Sequence, residues 1–285
     1  MTWHVIGKNS YIAQRLLKRI QGKSEVLCYS RQGGSDTVGL DLAVPKTEDV
    51  KYVKPGDYVV LLAAVSAPDE CEKHYRDSYM VNVTGTETLI KRCIAQGANV
   101  LFFSSDLVLG KTVEAVDEYG DVEPVGNYGA MKQMVEEMFS DSRQVKTFRL
   151  SYVFSSQDKF FRYLLECQKN GKIAEVFDAL YRNVVYVEDV IDAIISLSES
   201  FPSWDNSIFH VCGEELLSRK NLAELYQSKI APDFKFKVSM PERRFFATRP
   251  NVIKMKSLYF GSLIGRRPTS FEKALWQEFG KNKGV

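Results

Sequence analysis

The sequence has few histidines and few cysteines, and their spacing argues against zinc-type clusters and CxxC motifs. Its three histidines lie far apart among the 285 residues, so no zinc-type cluster emerges. The five cysteines are scattered without a CxxC pair, which is typical of reduced structural thiols in a cytosolic protein. We therefore expect no bound metal ion and a cytoplasmic location.

Long apolar runs are also absent, since no stretch approaches the ~18 residues of a membrane-spanning helix. The first residues, MTWHVIGKNS, lack the basic region and long apolar run of a signal peptide. With 38 basic and 36 acidic residues, the formal charge is +2, which argues against a nucleic-acid or anionic-membrane partner. A content of 45% hydrophobic and 26% charged residues is typical of a globular protein with ample core.

The chain does contain an alternation of short apolar runs with longer amphipathic ones, which predicts βαβ units around a parallel sheet. The predicted strands are WHVIG, EVLCYS, TVGLDL, DYVVLLAA, NVLFFSS, VKTFRLSYVF and SIFHVCG. Helices are predicted at SYIAQRLLKRI, over the long region 68–97, around Tyr128 and at several places beyond Phe154. In the last predicted helix, Thr269 and Glu272 have the spacing of a capping box.

The loop GKNSYIA follows strand one and leads directly into a helix, where a dinucleotide-binding fold places glycines against a pyrophosphate. Of the three positions of a G-x-x-G-x-x-G loop, Gly7 is retained, whereas Ser10 and Ala13 are small replacements. An ordinary strand-to-helix turn fits the same residues. At the end of strand two, Ser30 and Arg31 occupy the position where NAD-preferring folds have an acid, which favours NADPH and leaves NADH possible.

The segment VGNYGAMKQMVEE places Tyr128 four residues before Lys132, so their side chains are neighbours on one helical face. An adjacent cation favours the phenolate and lowers the phenol pKa towards the range useful in acid–base catalysis. A tyrosine and a lysine at this spacing also occur by chance. The pair by itself therefore leaves a purely structural role open.

Segments in register along essentially the whole chain resemble an extended short-chain dehydrogenase/reductase of the NAD-dependent epimerase/dehydratase superfamily. They are GLDL, LLAAVSAP, NVTGTETLIKRC, FFSSDLVLG, NYGAMK, RLSYVF, RNVVYVEDVIDAI and FHVCGEELLS. The resemblance implies an α/β fold, a Rossmann-type doubly wound parallel sheet with a smaller C-terminal substrate-binding α/β region. It assigns residues 1–154 to the NAD(P)-binding domain, with 185–213 returning to it, and residues 155–184 and 214–285 to the substrate-binding region.

The same resemblance implies roles for individual residues. Ser105 would orient the reacting oxygen, Tyr128 would transfer a proton to or from it, and Lys132 would hold the nicotinamide ribose and lower the phenol pKa. The residues expected to bind the cofactor, besides Tyr128 and Lys132, are Gly7, Asn9, Ser10, Tyr11, Ile12, Ser30, Arg31, Asp41, Leu42, Ala63, Ala64, Val65 and Asn82. Those expected to bind the substrate are Ser66, Ser105, Asp106, Arg182 and Arg249. Any of the arginines also fits an ordinary surface position.

The residues around Ser105 distinguish members of the superfamily. Sugar-nucleotide 4,6-dehydratases follow the serine or threonine with Asp-Glu, whereas here Asp106 is followed by Leu107. GDP-fucose synthases place a cysteine beside the serine, and no cysteine lies near Ser105 in the sequence. The S-S-D-x-V pattern and the segment RPNVIKMKSLYFGSLIGRRPTSFEKAL are most similar to dTDP-4-dehydrorhamnose reductases.

We therefore expect NADPH-dependent reduction of a nucleotide-linked 4-keto-6-deoxy sugar, a step in polysaccharide precursor biosynthesis. Two alternatives remain, an NAD-dependent nucleotide-sugar 4-epimerase and a non-catalytic regulatory member that binds NADP without turnover. The degenerate loop favours the regulatory member, whereas the retained Tyr128 and Lys132 disfavour it. Because family members commonly pair through two helices, we also expect a homodimer that contacts through residues 84–97 and 127–140.

Overall fold

A parallel sheet of seven strands forms the centre of the protein in the computed structural model, which describes residues 1–280. The strands of this part are β1 Thr2–Ile6, β2 Glu25–Ser30, β3 Val38–Gly39, β4 Tyr58–Leu61, β5 Asn99–Ser105, β6 Val145–Leu150, β7 Val153–Phe154, β8 Ala174–Phe177, β9 Arg182–Asn183, β10 Val185–Tyr186, β11 Ile208–Val211, β12 Leu216–Leu217 and β13 Phe236–Ser239. The central sheet has the order β3-β2-β1-β4-β5-β6-β11, and the other strands form the two-stranded pairs β7–β10, β8–β13 and β9–β12.

The helices connect these strands and cover both faces of the sheet. They are α1 Tyr11–Ile20, α2 Pro68–Lys73, α3 Tyr75–Tyr79, α4 Thr86–Ala95, α5 Gly126–Met138, α6 Lys159–Lys169, α7 Val187–Ser200, α8 Arg219–Lys229, α9 Phe260–Ile264 and α10 Phe271–Phe279. Within residues 1–280, no helix combines the length and the apolar character needed to cross a membrane.

The hydrophobic core lies on both sides of the central sheet, as the four residues of β4 show. Tyr58 and Val60 pack in the cluster that contains α1 and α7, while Val59 and Leu61 pack in the cluster that contains α4 and α5. All four are buried, which explains why this strand is a continuous apolar run instead of an alternating one. The doubly wound α/β class predicted from the sequence is confirmed.

Residues 68–97 are helical almost throughout, as their pattern predicts, but the helical region is divided. His74 has φ −123° and ψ 55° between α2 and α3, and a π-helical turn, Met80–Gly85, precedes α4. A Cβ at Gly85 would lie 1.7 Å from the carbonyl oxygen of Leu42, so this turn brings the backbone into direct contact with the loop after β3. The π-helical turn was not predicted, because helical periodicity contains no information about that distant contact.

Two predicted strands are shorter than their sequence runs. Of TVGLDL, only Val38–Gly39 pairs with β2. The run VKTFRLSYVF divides into β6 and β7, because the chain turns out of the central sheet at Ser151 and Tyr152. The Ser151 amide still donates to Val211 of the sheet, whereas the Tyr152 carbonyl accepts a hydrogen bond from Val185.

Thr269 and Glu272 do not form the predicted capping box. Helix α10 begins after Ser270, whose Oγ accepts a hydrogen bond from the Lys273 amide at 3.4 Å. Thr269 instead donates through its amide and its Oγ1 to the carboxylate of Asp189, at 2.6 and 2.7 Å. Because Asp189 is fully buried, its charge requires hydrogen-bond donors, and Thr269 supplies two of them.

A buried polar network covers β11, the last strand at one edge of the sheet. The backbone amide of His210 donates to Glu118 Oε1 at 3.0 Å. The ring Nδ1 of His210 donates to the Lys256 carbonyl at 3.0 Å, and the ring Nε2 accepts from Arg149 Nη1 at 3.3 Å. These two contacts define the neutral tautomer of the ring. Burial lowers the pKa of His210 to about 4 against the opposing field of Glu118.

We predict that stability decreases as the pH falls from about 6.5 towards the pKa of His210 at about 4. The unfolded chain takes up a proton near pH ~6.5, whereas the folded chain resists it, so the contribution of His210 is complete above that pH and lost below it. It should amount to roughly 3 kcal/mol. In denaturant titrations between pH 4 and 7, the free energy of unfolding should depend less steeply on pH for His210→Gln. His74→Gln, at an exposed histidine, should match the unmodified protein. Equal slopes for all three proteins would contradict this assignment.

Candidate active site

The carboxyl ends of β1 and β4 meet where the strand order of the sheet reverses, the place at which open α/β sheets bind ligands. Gly7 follows β1 with a φ of +93°, and Ala63 lies just beyond β4. A Cβ at Gly7 would lie 2.8 Å from the Ala63 amide nitrogen. The close approach of these two loops therefore requires glycine at position 7.

Ser10 and Ala13 take the other two glycine positions of the loop without disrupting the start of α1. Ser10 is the N-cap residue, and its Oγ accepts a hydrogen bond from the Ala13 amide at 3.1 Å. Ala13 is fully buried, so its methyl group packs in the core. The serine satisfies one free N–H group at the start of the helix, and the neighbouring N–H groups are donors of the kind that bind a pyrophosphate.

A cavity of about 210 Å³, here named the cofactor cavity, lies at this crevice. Among its lining residues are eight that were predicted to bind the cofactor: Gly7, Ser30, Arg31, Asp41, Leu42, Ala63, Ala64 and Val65. The glycine turn allows close backbone approach, and the small and aliphatic side chains leave a flat apolar surface. These features fit the adenosine half of a nicotinamide dinucleotide.

Two cations lie near the end of β2, where a 2′-phosphate would bind, and each is paired with a carboxylate. Arg31 Nε lies 3.1 Å from Asp41 Oδ2, and its side chain is 79% exposed. Lys8 Nζ lies 2.9 Å from Asp36 Oδ1 and also contacts the Thr37 hydroxyl. Lys8 was not predicted as a cofactor ligand, although its position inside GKNSYIA was a usable signal.

Several predicted cofactor ligands do not line the cofactor cavity. Asn9 is exposed on the loop after β1. Asn82 is buried, with its Oδ1 accepting from the Val65 amide at 2.8 Å and its Nδ2 donating to the Val65 carbonyl at 2.9 Å. Asn82 therefore holds the loop after β4 in place. Tyr11 and Ile12 lie instead on a second cavity, next to the reactive residues.

The side chains that were predicted to react come from the end of β5 and the first turn of α5. Ser105 Oγ accepts from the Leu107 amide at 3.2 Å and donates to Asp106 Oδ1 at 3.2 Å. Tyr128 is followed by Gly129, at which a Cβ would lie 2.8 Å from the Leu107 carbonyl oxygen. This glycine lets α5 pack directly against the loop after Ser105, so the hydroxyl and the phenol line one cavity.

This second cavity, here named the active-site cavity, has a volume of about 370 Å³. It brings together Tyr11, Ile12, Ser66, Ser105, Asp106, Tyr128, Arg182 and Arg249, all of which were predicted as site residues. It also contains four polar residues without a predicted role: Ser104, Ser151, Tyr152 and Arg219. Ser151 and Tyr152 follow a core strand, which was a usable signal, since the carboxyl ends of parallel strands meet at one edge. Arg219 had no such signal, because its sequence context is that of an ordinary residue in a first helical turn.

Lys132 lies one helical turn after Tyr128 and is almost fully buried. Its Nζ donates to the Phe103 carbonyl at 2.8 Å and lies 5.7 Å from the centroid of the Tyr128 ring. Burial lowers the pKa of Lys132 to about 8, and the nearby carboxylate of Glu136 opposes that change. The ammonium form therefore prevails at neutral pH, next to the phenol.

Burial raises the pKa of Tyr128 above its ordinary value, and the fields of Cys71 and Asp106 act in the same direction. The expected fall of this pKa towards neutrality is therefore not seen, although the Lys132 ammonium by itself favours the phenolate. The reason is that removal of the phenol from water outweighs the effect of an ammonium group 5.7 Å from its ring. Tyr128 is protonated near neutral pH, which is the form that donates a proton.

Two predicted substrate ligands, Asp106 and Arg182, bind each other. Arg182 Nε lies 3.1 Å from Asp106 Oδ2, with both side chains buried. The Nη atoms of Arg182 donate to the carbonyl oxygens of Tyr181, Pro250 and Asn251 at 2.8, 2.8 and 3.3 Å. Arg182 therefore connects the end of β5 to one C-terminal segment and has little capacity left for a ligand.

Arg249 also has a carboxylate partner, although it lines the active-site cavity. Its Nη1 and Nη2 lie 2.6 and 2.7 Å from the two oxygens of Asp69, an exposed residue. The guanidinium carbon is 4.9 Å from the centroid of the Phe245 ring. A ligand would have to compete with Asp69 for this arginine.

The sequence matches the family model described as RmlD substrate binding domain over residues 1–281. The chain belongs to this family. The family resemblance inferred from the motifs is thus confirmed, and so is the enzyme class, an NAD(P)-dependent oxidoreductase.

Similar proteins include the spore coat polysaccharide biosynthesis protein SpsK of Bacillus subtilis, 24% identical over 197 residues, which cover 66% of this chain and 68% of SpsK. The dTDP-4-dehydrorhamnose reductase of Sinorhizobium fredii is 26% identical over 220 residues, covering 73% and 71% of the two chains. That of Mycobacterium tuberculosis is 23% identical over 210 residues, covering 69% and 68%.

Solved structures share the fold of this RmlD-family protein. The dTDP-4-dehydrorhamnose reductase of Clostridium acetobutylicum superposes with a TM-score of 0.80 at 21% identity, covering 98% of both chains. MoeE5 in complex with UDP-glucose and NAD superposes with a TM-score of 0.80 at 17% identity, covering 98% of this chain and 97% of MoeE5. At these identities the likeness shows the fold alone.

Proposed function

We propose that this RmlD-family protein uses NADPH to reduce the 4-keto group of a nucleotide-linked 6-deoxy sugar. The observation that carries the proposal is the joint placement of Ser105 and a protonated Tyr128 on one polar cavity next to the cofactor cavity. Relatives named dTDP-4-dehydrorhamnose reductase support the substrate class. Leu107, which is buried where a dehydratase has glutamate, supports simple reduction over elimination of water.

The side chains divide the chemistry between them. NADPH, when bound, supplies the hydride. The Tyr128 phenol donates its proton to the substrate carbonyl oxygen as negative charge develops there. Ser105, whose Oγ is positioned by the Leu107 amide at 3.2 Å, hydrogen-bonds the same oxygen and orients it. The Lys132 ammonium, 5.7 Å from the Tyr128 ring centroid, stabilises the phenolate that remains.

The two ligands are proposed to bind to different parts of the chain. Residues 1–154 and 185–213 hold the cofactor, which agrees with the position of β11 in the central sheet. Residues 155–184 and 214–285 hold the nucleotide sugar, which agrees with the presence of Arg182, Arg219 and Arg249 on the active-site cavity.

An NAD-dependent 4-epimerase is the second candidate, and one observation favours it. Asp41, an acid of the kind that binds the ribose hydroxyls of NAD, lines the cofactor cavity. Incubation with NADPH and dTDP-, UDP-, GDP- or CDP-linked 4-keto-6-deoxy sugars, and in parallel with the corresponding 4-hydroxy sugar nucleotides, distinguishes the two reactions. A reductase oxidises one NADPH for each product molecule and purifies largely free of nucleotide. Stoichiometric bound NAD, with isomerised sugar and constant NADPH absorbance, would establish the epimerase.

Tyr128→Phe should reduce kcat at least ~100-fold, because only the transferable proton is removed. Binding of NADPH, measured by fluorescence titration, should remain near that of the unmodified protein. Tyr52→Phe, at an exposed tyrosine, is the matched control and should retain full activity. Near-normal turnover by Tyr128→Phe would show that another group is the acid.

Arg31→Ala should weaken NADPH binding about tenfold or more while changing NADH binding little, because a charge-assisted contact with the 2′-phosphate is lost. Titration of the protein with each cofactor gives the ratio of the two affinities without turnover. Arg267→Ala is a suitable control, since that arginine is 90% exposed and lines neither the cofactor cavity nor the active-site cavity. Equal affinity of the unmodified protein for the two cofactors would refute the NADPH preference.

We propose a cytoplasmic homodimer, with residues 84–97 and 127–140 at the contact. Met134 and Met138, 36% and 45% exposed on α5, supply apolar surface for this contact. The cytoplasmic location is supported by the five cysteines, which are free thiols of the kind that a reducing compartment maintains. Light scattering at micromolar concentration should give twice the 32.4 kDa of one chain. Met134→Glu with Met138→Glu should shift the protein to a monomer, whereas a monomeric unmodified protein would remove the proposal.

A further inference from the structure

Four residues that line the active-site cavity each have a side-chain polar atom that is buried and has no hydrogen-bond partner among residues 1–280. These atoms are Ser104 Oγ, Ser151 Oγ, Tyr152 Oη and Arg219 Nη1. Buried polar groups in proteins are nearly always bonded, and groups left over in a cavity commonly bond to a ligand. The concentration of such atoms here indicates a surface built to receive a polar molecule.

Arg219 is the only one of these four groups that carries a charge. It is the first residue of α8, and its guanidinium carbon lies 3.9 Å from the ring centroid of Tyr152 and 4.6 Å from that of Phe160. These aromatic rings hold the guanidinium group through its faces. The buried Nη1 of this group has no hydrogen-bond acceptor among residues 1–280, so its donors are not all used.

The other arginines of the active-site cavity differ from Arg219 in their partners. Arg182 pairs with Asp106, and Arg249 pairs with Asp69. No ion pair found within the described part of the chain includes Arg219. Asp158 lies close enough to affect it electrostatically, but its oxygens accept hydrogen bonds from the backbone amides at the start of α6. The positive charge of Arg219 therefore remains uncompensated by a direct contact.

Arg219 also lies between two cavities. Together with Leu180 it lines both the active-site cavity and a neighbouring cavity of about 370 Å³, here named the aromatic cavity. The aromatic cavity is otherwise formed by Lys159, Phe160, Tyr163, Glu175, Phe177 and Phe245. The order of active-site cavity, Arg219 and aromatic cavity corresponds to the order of parts in a nucleotide sugar, which are a sugar, a diphosphate and a nucleoside with a flat base.

We propose that Arg219 binds the diphosphate of the substrate, between the sugar in the active-site cavity and the nucleoside in the aromatic cavity. This inference rests on the proposed function, because it takes the sugar to react at Ser105 and Tyr128. A guanidinium group presents paired donors that match phosphate oxygens, and its contact with two rings limits the entropy lost on binding. Arg219 thereby determines specificity for substrates that carry a diphosphate.

The test is calorimetric titration with dTDP, UDP, GDP and CDP, each compared with its nucleoside. Arg219→Met retains a long side chain on Tyr152 and removes the charge, and it should weaken the best-bound diphosphate about 10- to 100-fold. The affinity for the nucleoside and for NADPH should not change. Arg219→Lys should recover part of the loss. In turnover assays, Arg219→Met should raise the KM of the nucleotide sugar far more than it lowers kcat.

Lys220→Met is the matched control, because Lys220 is the next residue on α8 and pairs with Asp178 outside the active-site cavity. It should bind every diphosphate like the unmodified protein. A thermal melt of each variant separates loss of binding from loss of folding, and an equal fall of diphosphate and nucleoside affinities would reduce Arg219 to a structural role.

Unchanged diphosphate binding by Arg219→Met would overturn the assignment of this arginine and leave the reductase proposal intact. If Arg219→Met weakens only nucleotide sugars that carry a uronic acid, the arginine binds a sugar carboxylate and the proposal is again wrong. Failure of the unmodified protein to bind any of the four diphosphates would instead refute the nucleotide-sugar substrate itself.

Discussion

The geometry of the candidate site depends on the buried ion pair between Asp106 and Arg182. Asp106 follows the strand that ends in Ser105, and Arg182 also donates to carbonyl oxygens at residues 250 and 251. Both side chains are about nine-tenths buried, so removal of one partner would cost about 3–5 kcal/mol. The pair therefore holds the end of β5 and a C-terminal segment in one fixed relation, and it leaves one oxygen of Asp106 to accept the Ser105 hydroxyl.

Burial also determines the protonation states at the site. The Tyr128 phenol and the Lys132 ammonium group are both removed from water, which raises one pKa and lowers the other. The two groups thereby keep a proton donor next to a cation near neutral pH. This combination suits reduction, in which the phenol gives up its proton and the ammonium group stabilises the resulting charge.

Sequence reasoning identified most residues that line the cofactor cavity and about half of those that line the active-site cavity, because strand ends and helix starts in a parallel α/β sheet converge at one edge. It could not predict which arginine has hydrogen-bond donors left for a ligand. Arg182 looks like a free cation in the sequence, yet its donors are used by Asp106 and by carbonyl oxygens. Arg219 looks unremarkable, yet it is held by two aromatic rings with a donor left over. The difference depends on which groups lie nearby in space, and spacing along the chain does not record that.

By itself, the sequence determined the class of the sheet and the order of most elements, which depend on local periodicity and on burial of short apolar runs. Its resemblance to a family predicted the trio Ser105, Tyr128 and Lys132, which lie within one strand end and one helix. Tertiary structure alone decided the break at the π-helical turn, the start of α10, the raised pKa of the phenol and the availability of each arginine. The physical reason is that the partner in each case comes from a distant part of the chain or from the whole surrounding core, as in the pairs Gly85 with Leu42, Thr269 with Asp189 and Arg182 with Asp106.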